Sequence, residues 1–174
     1  MTTPLWPGYT GGQRLTAAAL QAGQHMIVTK TANTDRASTT TLADDPDLTF
    51  TVAAGAVYAI EFFLHYACTT AAGFKTAWDV PSGASGNKGV QGPGSSATDG
   101  SANNISMRSG VHGFSTTVAY GSRNSANNQC LAYEEALITT SVAGVIAIQW
   151  AQNSSNATAS RVGAGSWARC LRVS

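Results

Sequence analysis

The sequence predicts an all-β fold: an antiparallel, jelly-roll-like β-sandwich with an irregular N-terminal arm and one short helix. Three observations predict it. About ten short runs rich in β-branched and aromatic residues alternate with polar turns. No helical segment is long enough to serve as a parallel crossover, so the strands should pair antiparallel. From Cys130 to Val173 strand-like runs follow one another closely, ending in QWAQNSSNATASRVGAGSWARCLRV.

The chain has 174 residues, which suits one domain with an arm. The expected division is 1–25 for the arm with its helix and 26–174 for the sandwich. Residues 1–14, MTTPLWPGYTGGQR, read as irregular, because Pro4 and Pro7 fix φ and Gly8, Gly11 and Gly12 break regularity. The large apolar side chains Leu5, Trp6, Tyr9 and Leu15 are expected to dock, either on the chain's own body or on a partner. TAAALQA (16–22) is the expected helix, with Thr16 as cap and Gly23 as terminator. It is barely two turns long and needs tertiary support.

Strands are expected at MIVTK (26–30), RASTTTL (36–42) and LTFTV (48–52), the last with its threonines toward water. VYAIEFFLHYAC (57–68) is the strongest candidate. Tyr58, Ile60, Phe62, Leu64, Tyr66 and Cys68 form one face; Val57, Ala59, Glu61, Phe63, His65 and Ala67 form the other. Both faces are largely apolar, as in a sandwich interior or at a subunit interface. FKTAWDV (74–80) is expected to pair with it across the turn 69–73. Residues 81–113, rich in Gly and Ser, carry few large apolar groups and read as one long exposed loop. Strands resume at 114–120, 129–140, 142–150, 159–163 and 166–173.

Charged residues make up only 11% of the chain, with a net charge of +1, against about 25% charged residues in an average domain. The ten basic residues are scattered singly. An electrostatic nucleic-acid footprint needs a patch or stripe, so no nucleic-acid partner is expected. No apolar run approaches the roughly 20 residues needed to cross a bilayer, so no membrane partner is expected. Met1 to Gly12 lacks the features of a secretory signal, and the sequons at Asn104, Asn153 and Asn156 are then expected to be unused. Cys68, Cys130 and Cys170 form no CxxC pair, are odd in number and sit in apolar runs. They read as small buried hydrophobes of a protein made in a reducing cytoplasm.

No HExxH, GxSxG or P-loop spacing occurs, so no enzyme activity, cofactor or metal is expected. Three constellations invite a closer look. Asp44, Asp45 and Asp47 have the oxygen chemistry of a Ca²⁺ site, but the same residues are natural in a polar turn before Leu48. Glu61 and His65 share one strand face with Phe63, suiting an acid–base pair or, more simply, a polar stripe at an oligomer interface. Glu134 and Glu135 point to opposite faces and cannot act as a pair. Trp78 and Tyr120, like Trp150 and Trp167, are either glycan-stacking platforms or core packing.

Four segments, GGQRLTAAAL (11–20), RASTTTLADDPDLTFTVAAGAVYAIEFFLHY (36–66), WDVPSGASG (78–86) and IQWAQNSSNATASRVGAGSWARCLRV (148–173), resemble a family of short virion proteins of tailed actinobacteriophages. Its members are described as minor tail, head-fibre or capsid-decoration proteins. The resemblance covers most of the chain, apart from 87–128, and consists of packing motifs. It implies a homotrimeric β-sandwich on the surface of a virion assembled in the host cytoplasm. In that reading Leu5, Trp6, Tyr9 and Leu15 anchor the arm to capsid or tail proteins. Glu61, Phe63 and His65 line the oligomer contact, while Trp78 and Tyr120 are candidates for touching host cell-surface glycan. The alternative is a carbohydrate-binding module not tied to a virion. A cell-wall hydrolase lacks a recognisable nucleophile, metal triad or acid pair.

Overall fold

The structure is a computed structural model that describes residues 8–17, 20, 23–95 and 107–174. Twelve strands are described: β1 (Met26–Thr29), β2 (Thr34–Arg36), β3 (Ala43–Val52), β4 (Ala56–Cys68), β5 (Phe74–Asp79), β6 (Ser85–Pro93), β7 (Met107–His112), β8 (Val118–Tyr120), β9 (Ser125–Thr140), β10 (Gly144–Ala151), β11 (Ser160–Val162) and β12 (Trp167–Arg172). They form two antiparallel sheets. The larger, eight-stranded sheet has the order β1-β12-β4-β9-β6-β7, with β11 pairing both β4 and β2. The smaller sheet has the order β3-β10-β5-β8. The fold is thus an all-β sandwich, and its division into eight and four strands is unequal.

Alternation makes the core. In β4, Tyr58, Ile60, Phe62, Leu64, Tyr66 and Cys68 are all buried, as their period of two predicts. They meet Leu48, Phe50 and Val52 of β3, Phe74 and Trp78 of β5, and Ile146, Ile148 and Trp150 of β10 in one cluster. Aromatic rings lock the layers together. Tyr66 stacks on Phe74 at 4.3 Å between centroids, and Phe62 meets the Trp78 ring edge-on at 4.8 Å. Such pairs contribute about 0.5–1.5 kcal/mol beyond the area they bury.

Four expectations need correction. First, β5 does not pair with β4. Both edges of β4 are occupied, by β9 on one side and by β12 and β11 on the other. The chain therefore crosses to the smaller sheet, where β5 pairs with β10 and β8.

Second, the expected loop 81–113 contains β6 and β7. Backbone pairing with β9 holds β6 in the sheet, and only Lys88 and Val90 need to fill the interior. Its glycines are packing residues. A Cβ on Gly92 would lie 2.7 Å from the Tyr120 ring, and one on Gly86 would lie 2.5 Å from the Leu137 carbonyl.

Third, Asp44–Asp47 do not form a turn: they lie within β3, which runs from Ala43 to Val52. Fourth, of the expected strand at 36–42 only Arg36 is in a strand, as the last residue of β2, and the strand expected at 114–120 is confined to β8. Of the expected helix, Ala17 and Leu20 are helical, with the Leu20 N–H donating to the Thr16 carbonyl at 3.0 Å.

Candidate functional site

Two polar clusters lie inside the sandwich. The first is centred on Glu134 of β9, which is fully buried. Trp78 Nε1 donates to its Oε2 at 2.7 Å and the Tyr120 hydroxyl donates to its Oε1 at 2.8 Å; the Thr76 hydroxyl is a third donor. Lys88 Nζ, equally buried, stands 3.1 Å from Oε2 as an ion pair without a well-directed hydrogen bond. Burial pushes the Lys88 ammonium below its ordinary range, and the Glu134 charge opposes that shift. Desolvation, with Glu134 adding to it, raises the Tyr120 phenol. The expectation that Trp78 and Tyr120 contact glycan is therefore corrected: both are buried, with their polar ends turned inward to this carboxylate.

The second cluster joins the sheets near β3. Lys30 Nζ lies 3.0 Å from Asp45 Oδ1 and 2.6 Å from Asp47 Oδ2. Trp150 Nε1 donates to Asp45 Oδ2 at 3.0 Å, and the Arg36 guanidinium lies 4.0 Å over the Trp150 ring. Two of the three carboxylates that resembled a cation site, Asp45 and Asp47, thus already hold a cation, the Lys30 ammonium, while Asp44 accepts from Gln149 Nε2 at 2.9 Å. Among the described residues no His, Cys, Asp or Glu cluster could hold a metal ion. The three cysteines are free, with Cys68 and Cys170 buried and Cys130 half-buried.

The surface candidate is the outer face of the larger sheet. Strand register places side chains there in rows. One row crosses β1, β12, β4, β9, β6 and β7 as Ile27, Arg169, Glu61, Glu135, Gly89 and Val111. The next runs Thr29, Trp167, Phe63, Tyr133, Gln91 and Ser109. Phe63 stacks on Trp167 at 5.4 Å and 15°, and His65 meets the Phe63 ring edge-on at 5.3 Å. Glu61, Phe63 and His65, expected together on one face, are indeed brought together. All three are half-buried.

Glu61 and Glu135 are direct cross-strand partners, an arrangement that repels unless compensated. Arg169 donates to Glu61 at 2.5 Å, and the Tyr133 hydroxyl donates to Glu135 at 3.1 Å. Desolvation, then the two carboxylates, push the Tyr133 phenol above its ordinary range. On the same face Ile27, Met107, Val111, Leu131 and Leu137 are between 42% and 73% exposed. A face carrying so many large apolar side chains is the kind that a partner covers.

Over β6, β7 and β9 the face sinks into a hollow of about 320 Å³, bordered by Gly89, Gln91, Ser109, Gly110, Tyr133 and Glu135. A second hollow of about 170 Å³, lined by Met107, Leu131 and Pro93, shares Gln91 and Tyr133 with it. The residues of this trough went unnoticed in the sequence. The alternation Leu131, Tyr133, Glu135, Leu137 was visible in 129–140, but the glycines facing it come from strands that read as loop.

In the arm, Tyr9 and Leu15 are 44% and 54% exposed, whereas Leu5 and Trp6 lie outside the described residues. Among the described residues no helix is long and apolar enough to cross a membrane.

No protein-family model matches the sequence, and no curated protein matches it. Among solved structures, the chain is similar to "Structure of infectious bursal disease virus Gx strain", at 10% identity and a TM-score of 0.20. The alignment covers 95% of this chain and 44% of that one, so the chain spans less than half of its length. A likeness of that size carries no statement about role.

Proposed function

We propose that the protein is a non-enzymatic structural subunit of a tailed-bacteriophage virion, exposed on the particle surface as a capsid-decoration, head-fibre or minor tail protein. The observation that carries this reading is the outer face of the larger sheet, where exposed apolar side chains flank the Phe63–Trp167 stack. Such a face is completed by subunit association. The β1-β12-β4 side, with Ile27, Trp167, Phe63, Glu61 and His65, is the contact between copies in a homotrimer. The exposed apolar groups Tyr9 and Leu15 suit an arm that anchors to capsid or tail proteins. The resemblance of the four quoted segments to actinobacteriophage virion proteins supports the same assignment.

Light scattering on the full chain tests the association. Three chain masses are expected, with Phe63→Asp giving a folded monomer. A wild-type monomer at millimolar concentration overturns the contact. A carbohydrate-binding module is the second reading, favoured by the trough over β6, β7 and β9.

A further inference from the structure

The geometry points to a binding site for a neutral oligosaccharide in the trough formed by β6, β7 and β9. The trough exists because the outward-facing row lacks a side chain at Gly89 on β6, between Glu135 of β9 and Val111 of β7. Its two hollows join at Gln91 and Tyr133. Together they reach from the Gly89–Val111 pair to the Pro93–Met107 pair. That is four residues along a strand, about 13 Å, the length of a short oligosaccharide rather than of a single ring. The larger hollow alone reaches the lower end of the roughly 300–1,000 Å³ typical of ligand sites.

The lining sets the ligand class. Gln91 and Ser109 both donate and accept, and Glu135 accepts, which suits a ligand carrying many hydroxyls. The Tyr133 ring, Leu131 and Met107 offer apolar surface for the C–H faces of sugar rings. Among the described residues no lysine or arginine lines either hollow, Glu135 is the carboxylate at the border, and Glu61 one strand away is already paired with Arg169. A phosphorylated or sulfated ligand would meet repulsion with no cation to offset it. A neutral polyol meets none. The proposal deepens the glycan contact of the preceding reading and rests on it only for the exposure of this half of the face. The trimer contact on the β1-β12-β4 side leaves the trough open.

Isotope-labelled full chain titrated with cellotriose and with the N-acetylglucosamine trimer tests it, with glucose 6-phosphate as the charged comparison. Amide shifts are expected at Gly89, Gln91, Ser109 and Gly110 with a neutral trisaccharide, and not with the phosphate ester. Gly89→Val fills the hollow, and its Cβ would make only ordinary contact, 3.6 Å from the Glu135 side chain. It should weaken binding at least roughly tenfold with the melting temperature retained. Gln91→Ala should weaken binding in the same direction and serves if Gly89→Val does not fold. Absence of shifts at millimolar neutral sugar overturns the site. So does binding that survives both substitutions, or equal binding of the phosphate ester. Each outcome is read on the isolated protein, so it stands apart from whether the chain belongs to a virion.

Discussion

The indole N–H of Trp78 donates to Glu134 Oε2 at 2.7 Å, tying the smaller sheet to the larger through a fully buried carboxylate. Removing the carboxylate while leaving Lys88, Thr76, Trp78 and Tyr120 in place strands a buried ammonium and three donors. Glu134→Ala is expected to cost about 3–5 kcal/mol, measured by urea denaturation. The double substitution Glu134→Leu with Lys88→Met should recover much of that loss, because a buried ion pair replaced by apolar groups is often near neutral. A Glu134→Ala protein as stable as wild type would remove this cluster from the account of the core.

Cation addition should leave stability unchanged. Lys30 Nζ already lies between Asp45 and Asp47. Ca²⁺ at millimolar concentration, or a chelator, is therefore expected to leave the melting temperature where it was. Lys30→Met leaves Asp45 buried without its counter-charge and should cost about 3–5 kcal/mol. A rise in melting temperature with Ca²⁺ would mean that the carboxylates prefer a metal to the lysine.

Alkaline pH should destabilise the fold through its thiols. Burial pushes both Cys68 and Cys170 up to about 12 from an ordinary 9.0. The folded state therefore holds these protons more tightly than the unfolded chain. Stability from this source is complete below pH 9.0 and is lost as pH rises toward 12. The slope is at most about 1.4 kcal/mol per pH unit for each thiol. Denaturant midpoints between pH 8 and 11 measure it, and Cys170→Ala should flatten the decline. A midpoint that does not fall across this window would contradict the burial of both thiols.

Removal of residues 1–14 should leave the sandwich intact. The described part of that segment is exposed, and within it the Gln13 N–H donates to the Thr10 carbonyl. An unchanged melting temperature together with lost particle binding is expected. Retained binding would assign anchorage to another part of the chain.

Much of the fold was legible where side chains alternate strictly. The inward row of β4 and the opposed faces of Glu134 and Glu135 needed only a period of two. Pairing partners were not legible. β5 follows β4 in sequence, yet β4 has no free edge for it, a fact that depends on strands β9, β11 and β12, the first of which begins only at Ser125. β6 and β7 were hidden because their glycines answer to rings elsewhere, as Gly92 answers to Tyr120. For the site, β4 alone was enough to group Glu61, Phe63 and His65. Trp78 and Tyr120 stood open between core packing and glycan contact because nothing local announces the buried carboxylate that claims them.

Immunogold electron microscopy on intact phage particles from a lysate that contains the protein tests the proposed virion assignment most directly. Label is expected on the particle: spread over the head for a decoration or head-fibre protein, or confined to the tail for a minor tail protein. Particles that carry no label, from a lysate in which the free protein is plainly detected, would contradict the virion assignment.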